Sequence, residues 1–209
     1  KLYVGGIVGN VTSTAAGGAV ITKCYSTRNV NSTTHYVGGI AGITAGANIS
    51  ECYSTGSVVT TAGHSAAGIV GRLNTYAATV DNCFSTGDIQ SYSSTKDVSS
   101  YSGGIVGIVG VTGCRITNCY VAGKVLSTSN IATSYSGAGG IAALANVKTT
   151  NIGGCAVLSG KVAAASIVKD SSHFVYASAM ANGYTTGYPT ALAGKSNFYS
   201  NDTVIGFRR

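Results

Sequence analysis

The sequence predicts an all-β protein, a right-handed parallel β-helix of about five coils of 29–36 residues closed by a C-terminal cap. Three observations carry this. A glycine-rich heptad recurs as YVGGIVG at Tyr3–Gly9, YVGGIAG at Tyr36–Gly42, SAAGIVG at Ser65–Gly71, YSGGIVG at Tyr101–Gly107 and GAGGIAA at Gly137–Ala143, with starts 33, 29, 36 and 36 residues apart. A cysteine motif follows each copy: ITKCYSTRNV from Ile21, ISECYSTGSV from Ile49, VDNCFSTGDI from Val80, ITNCYVAGKV from Ile116 and IGGCAVLSGKV from Ile152. Finally, the segments are short, β-branched and glycine-bounded, with no sustained apolar stripe at helical spacing. Self-similarity at such a period marks a solenoid, because a unit of about 30 residues cannot bury its own apolar face and must stack on a copy of itself. Two or three short strands per unit suit one β-helix coil better than a four-stranded propeller blade. The right hand follows from the general preference of parallel crossovers.

Along unit two, the pattern predicts a first strand at Gly39-Ile40-Ala41-Gly42 with Ile40 inward. A variable loop follows, then a second strand from Ile49 to Thr55, a corner at Gly56 and a third strand from Ser57 to Thr61. The equivalent isoleucines Ile7, Ile40, Ile69, Ile105 and Ile141 are expected to form one buried column. An apolar residue lies three positions before every repeat cysteine (Ile21, Ile49, Val80, Ile116, Ile152). A spacing of three breaks strict alternation and predicts a kink or bulge just before the cysteine. The shared corner glycines Gly56, Gly87, Gly123 and Gly160 suggest positive φ, although unit one carries Arg28 there. From about Ile167 the repeat disappears and aromatics concentrate. Residues 166–209 therefore read as a cap over an otherwise open sheet edge, set apart from solenoid repeats at 1–165, with Met180 and Leu192 as its anchors.

The motif pair GG[IL]VG followed by [IV]xNCY[AS]TGxV resembles the GLUG repeat of bacterial surface proteins, carried here by GGIVG, ITNCYVAGKV and ISECYSTGSV. The resemblance spans residues 1 to about 162, and its last copy departs from the pattern at Ala143 and Ala156. It implies a secreted or cell-surface setting and a binding or spacing role. It implies no chemistry: peptidases with this repeat hold zinc in a separate domain, and no HExxH occurs here.

Composition agrees with a scaffold. Charged residues make up 9% of the chain, with a net charge of +7, and the 13 cations are scattered without a cluster that would favour nucleic acid. No apolar run approaches the ~18–20 residues of a membrane span. The chain opens at Lys1 inside a repeat, which reads as a piece of a longer protein whose upstream coils, or a partner chain, cover the first unit.

The repeat cysteines Cys24, Cys52, Cys83, Cys119 and Cys155 share one position, and Cys114 lies outside it. They read as a buried thiol ladder. One or two disulfides, or a metal site, remain open alternatives. Two aromatic columns, Tyr25/Tyr53/Phe84/Tyr120 and Tyr3/Tyr36/Tyr101, read either as stacking ladders or as an exposed platform for sugars or a partner protein. The acids Glu51, Asp81, Asp88, Asp97, Asp170 and Asp202 do not pair by spacing, and no nucleophile has an evident base, so no catalytic, cofactor or metal residue is assigned. His35 and His64 precede successive glycine segments and are expected to be neighbours in exposed loops. A threonine array for ice or crystal surfaces is broken at Asp81 in the column Thr22, Ser50, Asp81, Thr117. Asn10, Asn31, Asn48 and Asn201 begin N-x-[ST] sequons, which matter only in a glycosylating host.

The functional expectation is a non-catalytic extracellular module for adhesion, ligand display or rigid spacing, binding a glycan or protein on a cell surface. Its contacts would come from the loops Gln90–Ser100 and Leu126–Ser136. A self-assembling filament with coils stacked end to end is the alternative, and a polysaccharide-acting enzyme is a remote one, since β-helices host both scaffolds and enzymes.

Overall fold

The structure is a computed structural model and describes residues 2–33, 35–131, 134–145, 150–166, 175–181, 198–199 and 204–208. Coil 1 contributes β1 (Tyr3–Gly5), β2 (Val8–Thr12), β3 (Ala19–Thr22), β4 (Tyr25–Ser26) and β5 (Val30–Ser32). Coil 2 repeats the course as β6 (Tyr36–Gly38), β7 (Ala41–Ala45), β8 (Ala47–Ser50), β9 (Tyr53–Ser54) and β10 (Val58–Thr60). Coils 3 to 5 run from β11 (Ser65–Ala67) to β25 (Lys161–Ser166) in the same order. Every strand pairs in parallel with its equivalent in the next coil, giving five stacked sheets among the described residues. The protein is a parallel β-helix with one coil per sequence repeat.

Register follows the repeat residue by residue. Tyr3 pairs with Tyr36, Tyr36 with Ser65, Ser65 with Tyr101 and Tyr101 with Gly137. Ile21, Ile49, Val80, Ile116 and Ile152 stack in one line. Ile40, Ile69, Ile105 and Ile141 are wholly buried. Ile7, their equivalent in coil 1, is 49% exposed. The column is right, but its first member has no coil on its outer side.

Three local expectations need correction. The predicted strand Gly39–Gly42 is half bend: β6 stops at Gly38, Gly39 and Ile40 turn the chain and drop Ile40 into the core, and only Ala41 and Gly42 are strand, at the start of β7. The predicted strand Ile49–Thr55 is broken at Glu51 and Cys52 into β8 and β9. That break is the kink foreseen before the cysteine. Lys23, Glu51, Asn82, Asn118 and Gly154 all adopt positive φ, at 54°, 54°, 50°, 54° and 65°. Asn tolerates this region, whereas Lys and Glu carry a cost of about 1–2 kcal/mol there.

The corner glycines do not have positive φ. They are glycine because of close approach. A Cβ on Gly56 would lie 2.1 Å from the Arg28 carbonyl oxygen, on Gly87 2.0 Å from that of Gly56, and on Gly123 1.9 Å from that of Gly87. No side chain fits such a gap, so backbone contact between coils selects glycine. Gly160 has no atom within 4 Å of its would-be Cβ, because the extra residue in coil 5 reshapes that corner.

The described parts of the C-terminal segment add a sixth turn. β26 (Val175–Ser178) pairs with coil 5 from Ser136↔Val175 to Gly139↔Ser178. β27 (Phe198–Tyr199) and β28 (Val204–Arg208) extend the fourth and fifth sheets. Ile141 N–H donates to the Met180 carbonyl at 2.9 Å, and Met180 is buried in the main core. The foreseen anchor Met180 thus continues the isoleucine column. Leu192 lies outside the described residues.

Candidate functional site

The cysteines form a ladder of thiols. All six are free, and the repeat cysteines are buried except Cys24 in coil 1, which is partly exposed. Each Sγ lies within reach of the carbonyl two residues back, from Cys24 to Thr22 O at 3.2 Å, Cys52 to Ser50 O at 3.1 Å and Cys119 to Thr117 O at 3.1 Å. The thiol thereby serves the bend that the positive φ creates. A small, weakly polar donor suits a core position beside one lone carbonyl. The hydrogen bond to Cys83 and burial push the Cys52 thiol up, and bonds to Cys155 and Cys83 together with burial do the same to Cys119. Burial pushes Cys114 up. Among the described residues no group of three or more His, Cys, Asp or Glu side chains is placed to hold a metal ion.

The aromatic columns have different fates. Tyr25, Tyr53, Phe84 and Tyr120 stack with centroids 5.1, 4.8 and 4.8 Å apart and planes within 7°. Tyr25 is 59% and Tyr120 37% exposed. Their faces are spent on one another, so the ladder offers ring edges to solvent rather than a sugar platform. The other column is buried at Tyr36 and Tyr101 and half-buried at Tyr3 in coil 1. Tyr36 and Tyr101 are 3% and 5% exposed and build a second apolar cluster with Ile43, Ile108 and Leu144. Where coil 3 has Ser65 instead of tyrosine, Arg72 fills the slot. Its Nη1 donates to the Tyr36 hydroxyl at 2.5 Å, and its guanidinium carbon lies 5.2 Å from the Tyr36 ring centroid. No signal in the repeat pattern announces this cation–π contact except the paired loss of Tyr at 65 and of an apolar residue at 72.

His35 and His64 are neighbours as expected, with ring centroids 5.1 Å apart, and His64 also stacks on Tyr36 at 5.7 Å. Both are half-buried rather than exposed in loops. The acids do not converge. Asp81 accepts from Thr117 Oγ1 at 2.6 Å, Asn118 Nδ2 at 2.9 Å and Asn82 Nδ2 at 3.1 Å, so it ties coils 3 and 4. Asp88 accepts from the Lys124 backbone N–H at 2.9 Å. Asp170 and Asp202 lie outside the described residues. Of the sequons, Asn10 and Asn31 are exposed, Asn48 is half-buried, and Asn201 is not described.

The loops at the corner after the fifth strand are shorter than expected. Residues 89–93 and 125–129 are strand, which leaves 94–99 and 130–135 as the connecting loops. They sit on successive coils and are tied together: Ser100 N–H donates to Tyr135 O at 2.8 Å and Tyr135 N–H to Ser99 Oγ at 3.2 Å. Beneath them runs a buried hydroxyl zipper. Ser100 Oγ donates to Ser91 Oγ at 2.9 Å, Ser127 Oγ to Ser100 Oγ at 3.0 Å, and Ser127 and Ser136 share a 2.9 Å bond. Each buried hydroxyl in that line is thus satisfied, which rigidifies the base of the ridge. Residues 94–97 above it are exposed.

Comparison with known proteins agrees with this architecture. Residues 33–59 match the family model described as Glug, the GLUG motif. No curated protein sequence matches the chain. Among solved structures, the chain is similar to the 1.30 Å crystal structure of a candidate immunoglobulin A1 protease from Bacteroides ovatus, with a TM-score of 0.52 and 19% identity. The match covers 99% of this chain and 66% of that one, so the chain spans just under two thirds of its neighbour's length. At that identity the likeness speaks for the fold.

Proposed function

We propose that this GLUG-motif repeat protein is a rigid, non-catalytic extracellular module that displays a polar loop ridge for adhesion to a glycan or protein on a cell surface. The observation that carries the reading is the ridge itself. Two loops from successive coils are hydrogen-bonded to each other over a satisfied serine zipper, so the scaffold pre-orders the exposed residues 94–97. Pre-ordered loops on a stiff frame lower the ordering cost of binding. Solenoids commonly carry their insertions on the binding face. The GLUG match and the fold of the B. ovatus neighbour support the extracellular setting. Asp81 and Asp88 support a non-catalytic role, because their carboxylates serve inter-coil hydrogen bonds rather than facing one another across a cleft.

The test is a pair of loop replacements in the full chain, in which 94–99 and 130–135 each become a short glycine-containing turn. Far-UV circular dichroism checks folding, and binding is read on a glycan array and on whole cells. Loss of binding by the folded double replacement supports the ridge. Undiminished binding by that variant rejects it.

A further inference from the structure

The glycine columns of this solenoid are directional. In coils 2 to 4 the would-be Cβ of the corner glycine points to the preceding coil: Gly56 to Arg28 O, Gly87 to Gly56 O and Gly123 to Gly87 O, at 2.1, 2.0 and 1.9 Å. None of these glycines has positive φ, so an L-residue there places its Cβ in that direction without backbone strain. Coil 1 has Arg28 at this position, and Arg28 is exposed. Its Cβ occupies the space in which an upstream coil would set its own corner carbonyl.

The rest of coil 1 is written as if it were internal. Val4, Val8, Ile21 and Cys24 pack against the main core, and Ile7 keeps its column position. By those positions alone a further coil, or the end of a second copy, would stack readily. We propose that Arg28 is a stop residue, which bars any in-register GLUG coil, from this chain or a second copy of it, from adding to the outer side of coil 1.

The other end shows the mirror-image break. The second glycine of each heptad directs its would-be Cβ to the following coil: Gly6 to Gly39 O, Gly39 to Gly68 O, Gly68 to Gly104 O and Gly104 to Gly140 O, at 2.3, 2.1, 2.2 and 1.8 Å. Gly140 meets Ala179 O at 1.9 Å. Coil 6 carries Ala179 at that position, so the column changes from glycine to a Cβ-bearing residue where the last described coil ends. A filament built by repeating the internal contacts meets a methyl group at one face and an arginine at the other. Edge strands are commonly blunted by such single residues.

The experiment inserts a copy of residues 36–64 between Leu2 and Tyr3 of the full chain, once with Arg28 and once with Arg28→Gly. Amide exchange is read at Tyr25 and Thr27. Their N–H groups face the outer side of coil 1, because the equivalent N–H groups of Tyr53 and Thr55 donate to Cys24 O and Ser26 O of the preceding coil. In the Arg28→Gly fusion the added coil docks, and exchange at both amides slows at least about tenfold relative to the parent, which corresponds to about 1.4 kcal/mol of local stability. In the Arg28 fusion both amides exchange as in the parent. Equal protection in the two fusions, or protection in neither, overturns the assignment. The Arg28→Gly point variant of the parent controls for folding, since Arg28 lies on the surface.

Discussion

Truncating Ile105 to alanine tests the stacked core most sharply, because its equivalent in coil 1 supplies an internal control. Ile105 is wholly buried between Ile69 and Ile141, and its N–H donates to Ile141 O at 3.0 Å. The substitution removes three carbons, about 2.4 kcal/mol of transfer energy at about 0.8 kcal/mol per methylene. Neighbouring coils are held by backbone ladders on both sides and cannot close the space, so a cavity term of about 1–1.5 kcal/mol adds to this. The expected loss is therefore about 3–4 kcal/mol, a large part of the ~5–15 kcal/mol typical of a domain. Ile7→Ala at the half-exposed end should cost about 1 kcal/mol, since half the transfer term is absent and no closed cavity forms. Urea titration followed by far-UV circular dichroism measures both, and the absence of tryptophan makes that signal preferable to fluorescence. Equal losses for the two variants, or a loss near zero for Ile105→Ala, would refute the column.

Other expectations follow from the same columns. Gly87→Ala should strongly destabilise the protein, because its Cβ would lie 2.0 Å from a backbone oxygen, whereas Gly160→Ala should be near neutral; paired thermal melts decide this. Ser85→Val should stabilise by about 1 kcal/mol, because Ser85 Oγ is buried without a partner and coils 4 and 5 already place Val121 and Val157 at that position. Burial raises the Cys114 thiol above its ordinary value of 9.0, so its contribution to stability is fully present below that pH and is lost as pH rises above it. Alkaline unfolding should accordingly be delayed in Cys114→Ala, and an unchanged alkaline limb in that variant would contradict the assignment. At neutral pH a maleimide should modify Cys24 in the native protein and the other five thiols only after denaturation.

The repeat made the architecture legible. One coil per unit, parallel pairing, the isoleucine and cysteine columns and the kink before the cysteine all follow from spacing and residue type. What escaped was set by contacts between coils. The double glycine looked like part of a strand because Gly-Ile-Val-Gly is apolar and β-branched, yet the chain bends there. Corner glycines suggested positive φ, and the residue that does adopt it was hidden behind Lys23 and Glu51, which rarely signal it. For Tyr36 and Tyr101 the spacing left a stacking ladder and an exposed platform both open, and Ile43 and Ile108 from the adjoining sheet cover them. Asp88 and Lys124 occupy equivalent positions on adjacent coils, and the Asp88 carboxylate there accepts from the Lys124 backbone N–H. Coil 6 was unreadable because Val175–Ala181 keeps the geometry while replacing the double glycine with Ser178-Ala179.

The most direct test of one coil per repeat is a spin-label distance measurement on the outer side of the fifth sheet. Val59 pairs in register with both Asn31 and Gln90, and Gln90 pairs with Leu126. Nitroxides at Val59 and Gln90, placed in a Cys24→Ala background whose remaining thiols are buried, should sit one rung apart at roughly 4.8 Å and show strong spin exchange. Labels at Asn31 and Leu126 should sit three rungs apart, about 14 Å, and show dipolar broadening without exchange. Absence of exchange in the first pair, or the same separation in both, would contradict the stacked-coil account.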